Sequence, residues 1–298
     1  MLSGFLVLNK DAGMTSQAAV TRVKRLFGAE KAGHTGTLDP MATGVLPIMI
    51  GRAVKAGEFL LAGDKHYRAG LLLGETSDTE DSSGTRLTTY AGEMPDEKKV
   101  RETVASFLGE RMQMPPMYSA LKVGGKKLCD LARQGIEIER EARRITVYAI
   151  ETEKIDDRRY LLDVRCSKGT YIRTLCAEIG RALGTGGVMS SLVRCEAAGF
   201  ALSDAITLSE LEEKNAGERE ALLYSVDYIF RHDMRVTLPP FFARLARAGQ
   251  PIRLDKIGAR AALGTRVALY DGQGFFALGE VRLHDEHAAI KPIKQFDV

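Results

Sequence analysis

Gly33-His34-Thr35-Gly36-Thr37-Leu38-Asp39-Pro40, running on through Met41-Ala42-Thr43-Gly44-Val45-Leu46-Pro47, decides how this chain is read. These fifteen positions hold three glycines, two prolines, one histidine and one carboxylate, with little helical or strand periodicity. Glycine opens backbone conformations closed to other residues, while proline fixes its own φ and restricts the residue before it. The stretch reads as an ordered loop of defined shape, with Asp39 pushed away from helical geometry by Pro40. Loops on a rigid scaffold are where catalytic groups gather. From composition alone, a surface turn with a solvated aspartate is an equal reading.

Periodicity on either side supplies the scaffold. Thr15-Ser16 offers an N-cap for a helix carrying Ala19, Val20, Val23, Leu26 and Phe27 until Gly28 ends it. Tyr67, Ala69, Leu71 and Leu73 alternate as one face of a strand, and Gly74 to Gly84 reads as polar loop. Asp96 caps a helix with Val100, Val104, Phe107 and Leu108 inward and Gly109 closing it. Leu128, Leu131 and Ala132 predict a short helix before Gly135. Tyr160, Leu162, Val164 and Cys166 share a strand face, and after Lys168-Gly169 the residues Tyr171, Leu175, Ile179 and Leu183 repeat at helical spacing. This strand–turn–helix puts Tyr171 and Arg173 in the first helical turn, aimed beyond the strand's end. Thr207-Leu208-Ser209-Glu210 is a capping box opening an acidic helical stretch. Near residue 231 the composition changes. Leu238-Pro239-Pro240 breaks the chain, a short helix runs to Gly249, and Val267 to Tyr270, Asp271-Gly272 and Phe275 to Leu283 read as a hairpin.

The bulk numbers set limits. At 298 residues the chain has room for one large domain and a smaller one. Net charge is +3, which excludes a uniformly basic surface. Charge is unevenly distributed: residues 201–230 hold seven acidic and two basic side chains, residues 111–144 four and eight, and residues 231–298 seven and eleven. Cys129, Cys166, Cys176 and Cys195 show neither CxxC pairing nor metal-ligand spacing and read as reduced, buried, cytoplasmic thiols. Phe5 to Leu8 is too short and lacks the basic flank of a signal peptide, and no stretch approaches transmembrane length. Gly184-Thr185-Gly186-Gly187 follows a helix rather than a strand, which argues against a dinucleotide-binding loop. His284, Asp285, Glu286 and His287 read as an exposed turn, and His34 lacks the neighbours of a metal ligand.

Five blocks taken in order carry a resemblance. They are Asn9-Lys10-Asp11-Ala12-Gly13-Met14-Thr15-Ser16, the Asp39 loop, Lys65-His66-Tyr67-Arg68, Pro115-Pro116-Met117-Tyr118-Ser119-Ala120-Leu121-Lys122, and Cys166-Ser167-Lys168-Gly169-Thr170-Tyr171-Ile172-Arg173. Together they resemble the TruB-type pseudouridine synthases, the tRNA pseudouridine-55 synthases of bacteria, with one departure: Asp11 stands where a proline is usual. Making pseudouridine breaks the N-glycosidic bond of a uridine, turns the base and rejoins it through C5, with no redox change. Asp39 matches the family nucleophile, and the resemblance implies that Arg173 pairs with it and keeps it ionised. Tyr67 matches the tyrosine that stacks on the flipped uracil and handles the proton; by itself it reads as a core tyrosine. Tyr171 and Leu192 match pocket residues that meet the nucleotide, and His34 matches a side chain that fills the space the everted base leaves. Lys10 is expected to support the loop or bind a phosphate. Lys122, Lys126 and Lys127 around Gly124-Gly125 read either as a grip on backbone phosphates or as a solvated loop.

The fold expected is α+β: a mixed, mainly antiparallel sheet with flanking helices and a central catalytic cleft, followed by a small β-rich domain. The boundaries are placed at 1–231 for catalysis and 232–298 for an RNA-binding domain that the resemblance implies is PUA-like. A cytoplasmic monomer is expected, acting on the T-arm of tRNA with no cofactor, no metal, no membrane and no obligatory protein partner. Two alternatives stand beside this one, a guide-RNA-dependent synthase and a non-catalytic tRNA-binding or tRNA-folding module.

Overall fold

The computed structural model describes residues 2–61 and 63–296. β1 (Gly4–Lys10) leads into α1 (Ser16–Leu26), whose N-cap Thr15 accepts from the Ala18 amide at 3.1 Å. β2 (Ala32–His34) and β3 (Thr43–Ile50) flank the glycine-rich loop, and α2 (Gly57–Leu61) precedes β4 (Lys65–Leu73). Next come β5 (Glu75–Ser77), β6 (Arg86–Thr89), α3 (Glu97–Ala105) and β7 (Gly109–Gln113). β8 (Lys122–Val123), β9 (Lys126–Lys127) and α4 (Leu128–Ala132) lie before the long pair β10 (Arg143–Lys154) and β11 (Arg159–Cys166). α5 (Ile172–Ala182), β12 (Gly187–Ala197), β13 (Phe200–Ala201), β14 (Ile206–Thr207), α6 (Leu208–Glu213) and α7 (Ala216–Ala221) complete the first layer.

The main sheet runs β14-β1-β3-β12-β4-β11-β10-β7. Its β1–β14 and β3–β12 neighbours are parallel and the others along this path antiparallel. One seam matters for function: β3 and β12 meet only at Thr43 opposite Val193 and Gly44 opposite Arg194. Gly44 is required there, because it sits at φ 105° and a Cβ would lie 2.3 Å from the Arg194 carbonyl oxygen. The alternation read from sequence is the burial pattern found, with Tyr67, Ala69, Leu71 and Leu73 packed beside Tyr160, Leu162, Val164 and Cys166 in one core. Burying each large apolar side chain contributes about 1.5–3 kcal/mol.

Three local expectations need correction. Leu108 is exposed, because α3 ends at Ala105 and the chain turns before β7. The polar stretch after Gly74 is part strand, since β5 pairs with β6. Tyr171 is the N-cap of α5 and not a first-turn residue.

A second sheet, ordered β15-β17-β18-β19-β16, is built from β15 (Met234–Thr237), β16 (Ile252–Arg253), β17 (Arg266–Asp271), β18 (Gly274–His284) and β19 (His287–Gln295), with α8 (Pro240–Arg247) against it. Phe5, Val45, Phe230, Leu278 and Phe296 belong to one apolar cluster that joins the two sheets. Of the four thiols expected to be buried, only Cys166 and Cys176 are, which pushes them up to about 11 and about 12, while Cys129 and Cys195 are half-buried. No helix among the described residues is long and apolar enough to cross a membrane.

Candidate active site

The Asp39 loop leaves β2 and re-enters the sheet at the β3–β12 seam, where it is braced from the first sequence block. Ser16 Oγ accepts from the Leu38 amide at 2.8 Å and donates to the Leu38 carbonyl at 3.0 Å. The Gly13 amide donates to the Pro40 carbonyl at 2.8 Å. Lys10 is fully buried, and its Nζ donates to the carbonyls of Asp11 and Met14, both at 2.9 Å, and of Pro40 at 3.4 Å. Burial pushes this ammonium down to about 8, against the opposing charges of Asp11 and Asp39. Of the two roles expected of Lys10, bracing the loop and binding a phosphate, the three carbonyls around its ammonium serve the first.

Arg173, in the first turn of α5, is 5 % exposed and grips Asp39 with two nitrogens, Nε to Oδ2 at 2.9 Å and Nη2 to Oδ1 at 3.2 Å. Its remaining donors are fixed as well. Nη1 reaches the Thr79 carbonyl at 3.0 Å and Nη2 the Tyr118 carbonyl at 2.7 Å. Asp81 Oδ2 lies 3.9 Å from Nε, so the guanidinium faces a second, buried carboxylate. That carboxylate is itself tied down, accepting at Oδ1 from Thr79 Oγ1 at 2.8 Å, the Ser83 amide at 2.9 Å and Ser83 Oγ at 2.5 Å. The turn carrying it has Glu80 at φ 62°, and Thr174 Oγ1 on α5 donates to Glu80 Oε2 at 2.5 Å. Burial raises the Asp39 carboxyl above its ordinary range; Arg173 pulls it back and Asp81 adds to the rise.

Above this pair opens a cavity of about 380 Å³ lined by Asp39, Tyr67, Tyr171, Arg173, Leu192 and Arg194 among others. Tyr67 reaches it from β4 and Leu192 from β12, each 7 % exposed. Tyr171 is set by Gln113, whose Oε1 accepts from the Tyr171 amide at 2.8 Å while its Nε2 donates to the Tyr171 carbonyl at 3.0 Å. The exposed Lys168 and the half-buried Lys65 also line the cavity. His34 does not. It ends β2, with Nδ1 buried and unpartnered, and burial lowers its imidazole below the ordinary value. The lysine segment is a two-stranded hairpin, β8–β9, with Lys122 opposite Lys127 and all three lysines exposed. Asp39, Arg173, Tyr67, Tyr171 and Leu192 are thus brought together, while His34 and Lys10 stand behind or beside them.

Three contributors escaped the sequence reading. Asp81 was hidden in a polar run read as solvated loop, and Gln113 carried no signal. Arg194 did carry one. It follows Leu192 by two positions on a strand, so alternation places a guanidinium on the inward face. The arrangement offers a carboxylate held by a fixed cation, aromatic walls suited to a planar base, and an apolar leucine in the same lining.

The model of the TruB family pseudouridylate synthase N-terminal domain matches residues 24–172, and that of the tRNA pseudouridylate synthase B C-terminal domain matches residues 173–231. The chain is 44% identical over 291 residues to the tRNA pseudouridine synthase B of Alkaliphilus oremlandii (strain OhILAs), covering 96% of this chain and 95% of that one. It is 43% identical over 280 residues to the protein of the same name from Azoarcus sp. (strain BH72), covering 94% and 91%. Among solved structures it is similar to a Cbf5-Nop10-Gar1 complex, with TM-score 0.72, 28% identity and coverage of 98% of this chain and 84% of that chain. An H/ACA RNP bound to a substrate RNA containing 2'-deoxyuridine is also similar, at TM-score 0.70 and 25% identity over 99% and 85%. The chain belongs to the TruB family of pseudouridylate synthases.

Proposed function

We propose that this protein isomerises uridine 55, in the T-loop of tRNA, to pseudouridine. The observation that carries the reading is the two-point pairing of Asp39 with Arg173 at the floor of a cavity walled by Tyr67, Tyr171 and Leu192. The target uridine leaves its stack and enters this cavity, which costs a few kcal/mol. Stacking on an aromatic ring returns about 1–3 kcal/mol per base. Asp39 acts as the nucleophile while the glycosidic bond breaks, Arg173 keeps its carboxylate ionised and aimed, and the detached base turns against Tyr67 before C5 rejoins the sugar. Tyr171 and Leu192 pack on the nucleotide, and His34, at the edge of the loop, fills the space the everted base leaves. The exposed β8–β9 lysines and residues 232–298, read as a PUA-like domain after a catalytic domain of 1–231, carry the phosphate contacts. The protein works in the cytoplasm, as a monomer, on tRNA alone.

A second reading has one observation in its favour: the similar solved structures include a Cbf5-Nop10-Gar1 complex, an assembly with protein partners. The relatives named tRNA pseudouridine synthase B, 44% and 43% identical over nearly their whole lengths, support the first reading. Purified protein with an unmodified tRNA transcript, scored for pseudouridine at every uridine, separates them. Product at one T-loop uridine without other components is the expected result. Absence of product until a guide RNA and partner proteins are added would refute it, and tight binding without turnover under any condition would leave only a folding or binding module.

A further inference from the structure

Arg194 is among the largest fully buried side chains of the protein, 1 % exposed, and it lies in the wall of the Asp39 cavity. Its Nε donates to the Val45 carbonyl at 2.7 Å and its Nη2 to the Gly36 carbonyl at 3.2 Å, so two of its donors hold the two ends of the catalytic loop. No carboxylate pairs with it among the described residues, in contrast to Arg173. A buried guanidinium without a counter-ion is costly, and the positive potential it sets up acts on whatever group lies nearest. One group that feels this potential is Tyr67, on the neighbouring strand. Arg194 and Tyr67 are direct partners in the β12–β4 register, so their side chains leave the sheet on the same face.

We propose that Arg194 is a positioning residue for Tyr67, holding the phenol oxygen with an unpaired buried cation so that Tyr67 accepts the C5 proton of the rejoined base. This inference rests on the function proposed above. In the step itself the C5–H bond breaks and its electron pair forms the C5–C6 double bond. The rejoined base carries a C6=N1 double bond, whose π pair moves to N1; N1 takes a proton from water, and the C5 proton ends on a Tyr67 oxygen that had earlier released its own proton to solvent. Burial raises the Tyr67 phenol above its ordinary value, and the charge of Arg194 opposes that rise. Cys166 on β11 and Asp39 on the loop also face the phenol, and both push the same way as burial. Arg194 is therefore the cation that counters them. Lys65, two residues back on β4, spends its ammonium on the carbonyls of Leu61 and Gly63.

The test is the single-turnover rate of pseudouridine formation against pH, from about pH 6 to about pH 9.5, for the native protein, Arg194→Met and Arg194→Lys. Arg194→Met should lose about 100-fold at neutral pH, with the deficit narrowing by up to about tenfold per pH unit as base replaces the missing cation. Affinity for tRNA should stay within about twofold, and Arg194→Lys should recover about tenfold of the loss. In a Tyr67→Phe background, Arg194→Met should cost less than about threefold more. A loss that is the same at every pH, a parallel loss in tRNA affinity, or no loss would overturn the proposal. Should Arg194→Met fail to fold, a fluorinated tyrosine of lower pKa at position 67 should restore about tenfold to Arg194→Lys, and no restoration would overturn the proposal equally. Failure of the function itself is a different result, because the native protein would then form no pseudouridine.

Discussion

Replacing Arg173 by methionine removes four contacts at once: two to Asp39, at 2.9 and 3.2 Å, and one each to the carbonyls of Thr79 and Tyr118, at 3.0 and 2.7 Å. Deleting one partner of a buried ion pair costs about 3–5 kcal/mol, mostly because the other charge is left uncompensated. The Asp39 side chain is 29 % exposed, so water screens part of that loss and the lower end, about 3 kcal/mol, applies. Two carbonyls left without a donor add about 1 kcal/mol, partly offset by the apolar methionine. For a chain of this size the sum lowers the melting temperature by roughly 6 °C. Turnover should fall by at least about 100-fold, because burial and Asp81 then raise the Asp39 carboxyl with only the charge of Lys10 left to oppose them. Thermal melts and single-turnover kinetics measure both quantities. The sharper check is the double variant Asp39→Asn with Arg173→Met, which should be more stable than Arg173→Met alone by about 1–3 kcal/mol because the orphaned charge is gone. A double variant no more stable than the single one would refute this account of the pair.

Asp39→Asn should abolish pseudouridine formation while tRNA affinity, measured by filter binding, stays within about threefold. Its pH behaviour follows from the raised carboxyl of Asp39. The folded value exceeds the unfolded one, so this group's contribution to stability is full below the unfolded value and is lost as pH rises through the folded value. Denaturant midpoints of Asp39→Asn should therefore fall less than those of the native protein across that window, and the acid limb of native activity should lie above the ordinary aspartate value of about 3.9. Lys10→Met, which strips the donor from three carbonyls, should cost about 1–3 kcal/mol in urea denaturation and lower kcat more than tRNA affinity. Gly44→Ala should cost about 3 kcal/mol or more by thermal melt, since its Cβ would press on the Arg194 backbone at positive φ.

Much of the fold was legible because its two sheets and their helices are built on strict alternation and capped repeats. Tyr67 to Leu73 and Tyr160 to Cys166 announce inward faces, and Thr207 and Glu210 close the capping box they suggest, at 3.2 Å and 2.8 Å. Leu108 was misread because an apolar residue continuing a helical spacing says nothing about where the helix stops. The ordered shape of the Asp39 loop was legible from its glycines and prolines, but the role of Asp39 and its partnership with Arg173 came from resemblance, since 134 positions separate the two and no local pattern spans such a gap. Asp81 was missed for a physical reason. A short turn rich in Asp, Thr and Ser is ordinary at a surface, and only its closure against Arg173 and the Met189 strand takes it out of water.

The departure at position 11 tests how the first block works. Nζ of Lys10 meets the carbonyl of Asp11 and not its side chain, at 2.9 Å, so the brace runs through backbone oxygens that any residue supplies. The Asp11 carboxylate acts only at a distance, as one of the charges that keep the buried Lys10 ammonium from falling further. If that is its whole part, Asp11→Pro preserves the three-carbonyl cage, stiffens the unfolded chain and leaves turnover within about threefold, with up to about 1 kcal/mol gained in stability. A loss of more than about tenfold in single-turnover rate would show instead that the carboxylate itself is needed to keep Lys10 charged at the edge of the catalytic loop. The two outcomes separate a brace made of geometry from one made of charge.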